Sequence, residues 1–136
     1  MSDVITLEEL IEEFQEVEDK MERLEMVFEL SEEVDFLETE QWNDSTRVRG
    51  CQSEAHVLVT IEDDIVKLKA GADSKLVQGL MGILTIALRN INPLKALEMT
   101  PEFAGEMGVL NSLSPSRSNG FRNMFDKVMK EIETQM

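Results

Sequence analysis

Residues 54–70 read EAHVLVTIEDDIVKLKA, and this stretch decides the fold. Ala55, Val57, Val59 and Ile61 alternate with Glu54, His56, Leu58 and Thr60, the period of two expected of a strand with one buried face. Glu62-Asp63-Asp64 is a short polar turn, after which Val66, Leu68 and Ala70 alternate with Ile65, Lys67 and Lys69. A turn this short joins the two strands antiparallel, as a hairpin. Just upstream, Arg47-Val48-Arg49 offers a third short strand, so the expectation is a small antiparallel three-stranded sheet.

On the N-terminal side the period changes. Thr6 stands three residues before Glu9, the capping-box spacing. Leu7, Leu10, Ile11, Phe14, Val17, Met21, Leu24 and Phe28 then recur at steps of three and four, an amphipathic helical face. The period admits one helix to about Val34, and the cluster Glu16, Glu18 and Asp19 equally admits a break and a second helix. Residues 39–47 are polar and read as a loop.

On the C-terminal side, Asp73 or Ser74 caps a helix running to about Asn90. It is apolar on nearly all sides and so belongs in the core, and Gly79 and Gly82 let it approach a neighbour closely. Asn92-Pro93 and Thr100-Pro101 each resemble an N-cap followed by proline, giving two short helices. Asn111 to Ser118 reads as a loop, with Ser116 or Ser118 capping a last helix that carries Phe121, Met124, Phe125, Val128, Met129 and Ile132 on one face. Helices, then strands, then helices make an α+β arrangement, expected to form one domain over residues 1–136.

Charge narrows the function. The chain has 136 residues and a net charge of −15, and 17 of its 28 acids fall in residues 1–44 beside only Lys20 and Arg23. Such a surface repels phosphate backbones, and no dense basic run follows it, so nucleic acid is not an expected partner. There is no apolar stretch long enough to span a bilayer and no signal-peptide pattern at the start, so no membrane association is expected. The single cysteine, Cys51, excludes an internal disulfide framework and suits a reducing compartment, hence an expected cytoplasmic location.

Cys51 is also the first candidate for chemistry. It sits in Val48-Arg49-Gly50-Cys51-Gln52-Ser53, between a polar loop and a strand. Gly50 gives the backbone freedom to present the side chain at a turn, and Arg47 and Arg49 would favour the nucleophilic thiolate. The same residues fit an inert cysteine used as a small core hydrophobe. His56, the sole histidine, is the formal partner for a Cys–His pair. Five residues of extended chain, on the order of 15 Å, and opposite strand parity both favour a histidine merely packed on one sheet face. Arg117 lies where a last helix begins, a place where a cation gains nothing from the helix dipole, which suits contact with an anionic or partner group. The nine methionines lie mostly at apolar helical positions and read as core filler. No phosphate loop, dinucleotide fingerprint, zinc-protease pair or calcium loop is present.

Three blocks in order make the chain resemble the SufE/CsdE family of sulfur-acceptor proteins. They are Val48-x-Gly50-Cys51-Gln52-Ser53, Asp73-Ser74-x-Leu76-Val77-x-Gly79-Leu80, and Leu113-Ser114-Pro115-Ser116-Arg117-Ser118-x-Gly120. Arg23 also looks like the arginine of the family's second helix. The resemblance implies an α+β fold shared with scaffold proteins of the IscU type, with a break between the first two helices. It implies that Cys51 accepts sulfane sulfur from a cysteine desulfurase of the SufS or CsdA type and passes it to an iron–sulfur scaffold or another acceptor. Pyridoxal phosphate would belong to the desulfurase, with no cofactor in this chain. Arg49, Gly50, Gln52, Ser53, Asp73 and Arg117 would support the site or bind the partner, and the cysteine loop could tuck its side chain into an apolar pocket. Two positions depart from the pattern: Thr46 stands where the family usually has asparagine, and His56 where it usually has tryptophan. Two other readings are an acidic protein-binding adaptor without thiol chemistry, and a small hydrolase or transferase using Cys51 and His56.

Overall fold

The computed structural model describes residues 5–51 and 53–136. The hairpin forms as the alternation requires. β1 (Ala55–Glu62) pairs antiparallel with β2 (Ile65–Ala72) in the register Val57↔Ala70, Val59↔Leu68 and Ile61↔Val66. These cross-strand pairs line the core face. Asp63 and Asp64 form the two-residue turn with φ of 52° and 63°, the left-handed geometry that matches strand twist in a tight hairpin.

The sheet has two strands among the described residues, not the three expected. Residues 46–48 do lie along β1: Val48 N–H donates to the Ala55 carbonyl and Val57 N–H to the Thr46 carbonyl, both at 2.8 Å. The pairing ends at a single bridge, Arg47↔His56. Gly50, at φ +79°, turns the chain away, and a strand cannot continue through that conformation. On the opposite edge, Leu37 N–H donates to the Ala70 carbonyl at 2.9 Å and Ala70 N–H to the Asp35 carbonyl at 3.0 Å. Further along β1, the carboxylate of Glu131 accepts from Val59 N–H at 3.3 Å and the Gln135 amide donates to the Val59 carbonyl at 2.6 Å.

Two helices precede the sheet. α1 (Leu7–Gln15) begins with the expected capping box, Thr6 and Glu9 bonding each other's backbone N–H. α2 (Lys20–Glu29) follows a break. Of the two arrangements the period admits, the break forms because Arg23 captures backbone that a continuous helix would use. Its Nε donates to the Val17 carbonyl at 3.1 Å and Nη2 to the Glu18 carbonyl at 3.3 Å, while Nη1 donates to Ser112 Oγ at 3.1 Å. Most acids of this region are exposed.

α3 (Lys75–Leu88) is the axis of the core, packed between the hairpin, α2 and the 3-10 turn Leu30–Glu33. Val77, Leu80, Met81, Ile83, Leu84, Ile86 and Leu88 are buried, each aliphatic side chain contributing about 2 kcal/mol by leaving water. A Cβ on Gly79 would run into the Val27 carbonyl, and one on Gly82 into the Leu30 carbonyl, so both glycines serve close approach as expected. Ser74, not Asp73, caps α3, accepting from Val77 N–H at 3.3 Å.

Three short helices follow: α4 (Pro93–Ala96), α5 (Glu102–Glu106) and α6 (Val109–Ser112). Asn92 caps α4 as expected; α5 starts one residue later than Thr100-Pro101 suggests, with Pro101 at the cap. The loop expected over 111–118 shrinks to the joint between α6 and α7 (Pro115–Thr134). Ser114 caps α7, accepting from Arg117 N–H at 3.3 Å, because Pro115 is preorganised for the first helical position. Ser116 and Ser118 therefore lie inside the helix, and Ser118 donates back to the Leu110 carbonyl at 2.9 Å. Phe121, Met124, Phe125, Val128 and Ile132 bury one face of α7 against β1 and α3.

Candidate functional site

The cysteine loop leaves the sheet at Val48 and re-enters it at Ala55, and each leg is tethered. On the incoming leg, Asn43 and Thr46 close a turn: Asn43 N–H donates to Thr46 Oγ1 at 3.0 Å and Asn43 Oδ1 accepts from Ser45 N–H at 2.9 Å. Gly50 follows, where a Cβ would meet the Asn123 amide; that amide instead donates to the Gly50 carbonyl at 3.3 Å. On the outgoing leg, the Arg117 guanidinium donates to Ser53 Oγ at 2.8 Å. Glu54 N–H donates to Asp73 Oδ1 at 3.1 Å, and Asp73 N–H returns to the Glu54 carbonyl at 3.1 Å.

Between the legs, Cys51 is half-buried and packs against the core. Its Sγ rests on α7 at Gly120, 3.3 Å from where a Cβ would stand. That glycine has an α-helical backbone, so its value here is room for sulfur, not conformational freedom. The thiol is thus half-buried and seated on bare helix backbone, in a loop whose legs are tied down.

The sequence candidates divide accordingly. Gly50, Cys51, Ser53, Asp73 and Arg117 come together around the loop. Asp73 does so by holding the Glu54 backbone instead of capping α3. Arg49 lines a groove beside the loop, and Arg47 faces Glu54 at 3.9 Å. Gln52 lies outside the described residues.

His56 is elsewhere. It is only 2% exposed, on the strand face opposite Val57. Its Nδ1 lies 2.7 Å from Thr46 Oγ1 and its Nε2 is 2.8 Å from the Glu54 carboxylate, while the ring stacks on Trp42 at 4.7 Å. With both nitrogens occupied, it is a packed strand histidine and unavailable as a base for Cys51. The hydrogen bond to His56 holds the Glu54 carboxyl below its ordinary value; partial burial opposes this and the Arg47 charge assists it. Sequence reasoning missed Asn123, Gly120's contact with sulfur and the Glu54–His56 pair. Helical periodicity marks Asn123 only as a polar position, and nothing local links it to a loop 73 residues away.

No helix among the described residues is long and apolar enough to cross a membrane. An uncharacterized SufE-like protein of Synechocystis is 32% identical over 119 residues, covering 88% of this chain and 75% of that one. SufE-like protein 1, chloroplastic/mitochondrial, of Arabidopsis thaliana is 30% identical over 126 residues, but the match spans 92% of this chain and only 34% of the plant protein. The cysteine desulfuration protein SufE of Plasmodium vivax is 34% identical over 92 residues, 65% of this chain and 38% of that one. The solution structure of a hypothetical protein from Thermus thermophilus has the same fold, with a TM-score of 0.80 at 21% identity over 95% of this chain and 94% of its own. The SufE family, described as an Fe-S metabolism associated domain, matches residues 8–132, and the chain belongs to it.

Proposed function

We propose that the protein is a sulfur acceptor in cysteine desulfuration, with Cys51 as the sulfur carrier. The Cys51 thiolate attacks the terminal sulfur of a persulfide on a donor cysteine. A new S–S bond forms on Cys51 as the donor's S–S bond breaks, and the donor cysteine leaves as a thiolate. The reaction is an exchange, with no net oxidation and no added oxidant. The donor is a cysteine desulfurase of the SufS or CsdA type, whose pyridoxal phosphate belongs to that enzyme. The receiver is an iron–sulfur scaffold or another acceptor in a reducing compartment.

The observation that carries this reading is Cys51 at the apex of a loop tied on both legs, its sulfur bedded on Gly120 of α7. Such a seat shields a bound sulfane sulfur on one side and leaves the other open to a partner. Arg117 and Asp73 act as positioning residues for the loop. The hydrolase reading is disfavoured because His56 is already fully engaged.

The experiment is to incubate the protein with a SufS-type desulfurase and free cysteine, then measure intact mass. A gain of one sulfur, absent in Cys51→Ser, is expected. No gain with any desulfurase of this class would remove the reading, and wild-type binding that takes up no sulfur, persists in Cys51→Ser and weakens steeply with salt would favour a plain acidic adaptor.

A further inference from the structure

We propose that the groove beside the cysteine loop is a docking site for an acidic segment of the protein that hands sulfur to Cys51. This rests on the sulfur-acceptor reading and adds to it the chemistry of the partner's contact.

The groove, about 470 Å³, runs between residues 44–49 and the outer side of α7. Arg47, Arg49, Lys127 and Lys130 line it together with Asp44 and Asp126, and Glu54 and Glu131 stand against Arg47 and Lys127 from just outside the lining. Four of the chain's 13 basic residues thus meet on one surface of a molecule whose net charge is −15. Two are partly spent: Lys127 pairs with Glu131 at 2.7 Å and donates to the Ser45 carbonyl at 2.9 Å, and Arg47 faces Glu54. Arg49 and Lys130 have no ion pair among the described residues.

Position gives this charge a purpose. Asn123 lines the groove and also bonds Gly50, next to Cys51. Gly120, one turn earlier on α7, carries the Cys51 sulfur. Along the helix, Gly120 to Lys130 spans about 15 Å, the length of roughly four or five extended residues. A segment lying in the groove is therefore in line with the sulfur. The acidic region 1–44 repels such a segment elsewhere, so the field both attracts and orients it.

The decisive comparison is Arg49→Glu/Lys130→Glu against Lys67→Glu/Lys69→Glu, two exposed lysines of β2 that line a different cavity. Both double variants change net charge equally. Association with a SufS-type cysteine desulfurase is measured at low ionic strength, and persulfide formation on Cys51 is measured with that enzyme and with inorganic polysulfide. The groove variant should associate about tenfold more slowly and lose a similar factor in the ratio of enzyme-driven to polysulfide-driven labelling, the β2 variant staying within about twofold. Wild-type rates in the groove variant, or equal slowing in both variants, would overturn the docking site. Polysulfide labelling of wild-type Cys51 with none from the desulfurase would overturn the sulfur-acceptor reading itself, and the groove assignment with it.

Discussion

Thr46 Oγ1 and His56 Nδ1 lie 2.7 Å apart, so the two positions where the resemblance implies asparagine and tryptophan are bonded to each other. The pair sits at the root of the cysteine loop, where residues 46–48 run beside β1. The two side chains therefore form one bonded unit. Thr46→Asn and His56→Trp, made singly, should each destabilise by about 2 kcal/mol, through a lost buried hydrogen bond or overpacking against Trp42. The double variant should be less unstable than the sum, with a coupling of at least about 1 kcal/mol in urea unfolding. Strict additivity would mean that the contact carries no shared energy.

Glu54 makes stability depend on acidity in a defined sense. Its carboxyl lies below the ordinary value of 4.5 in the folded protein, chiefly through the hydrogen bond to His56. A depressed folded value stabilises the protein above the unfolded value, and the contribution is lost as pH falls through the folded one. Wild type should be more stable than Glu54→Gln near neutrality, and the difference should shrink as pH drops below about 4.5. Urea midpoints measured across that window check it; a gap that widens on acidification would contradict the assignment.

Gly120 should set the exposure of the thiol. Alanine there places a methyl 3.3 Å from Sγ, so the sulfur must shift by a few tenths of an ångström. Alanine also favours the helix by about 1 kcal/mol, so the fold should survive. Cys51 should react several-fold faster with iodoacetamide in Gly120→Ala, at nearly unchanged melting temperature. Identical alkylation rates would show that the sulfur does not depend on this seat.

Arg117 should act through Ser53. Losing the hydrogen bond at 2.8 Å in Arg117→Ala should cost about 1 kcal/mol and loosen the outgoing leg. Ser53→Ala should reproduce both the stability loss and any slowing of sulfur uptake. If only the arginine variant slows uptake from the desulfurase, the guanidinium contacts the partner instead.

Much of this was legible in the sequence because it is written in local period. The hairpin, its short polar turn, the Thr6 capping box and the buried α3 each follow from neighbours in the chain, although Glu62, read as part of the turn, ends β1. What was not legible depends on contacts between distant segments. Local period leaves the break before α2 open, as the resemblance does not, and Arg23 reaching Ser112 fixes it; the start of α7 lies at a serine–proline joint, at Ser114 and not at Ser116 or Ser118. The third strand was over-read, since alternation at Arg47-Val48-Arg49 does not reveal that Gly50 turns the chain away. At the site, the cysteine and its loop were visible as a motif, whereas Gly120 and Asn123 acquire meaning only once α7 lies against the loop.

The hairpin's margins have a last consequence. A two-stranded sheet has nothing but edges, and bare edges recruit strands from other molecules. Here the Val59 N–H and carbonyl are occupied by Glu131 and Gln135, and the Ala70 N–H and carbonyl by residues 35–37. The final turn of α7 thus works as a guard against aggregation as well as a piece of packing. Trimming that turn would leave the thiol and its loop untouched while exposing a β-edge for fibril-like growth, a failure of colloidal behaviour before any failure of chemistry.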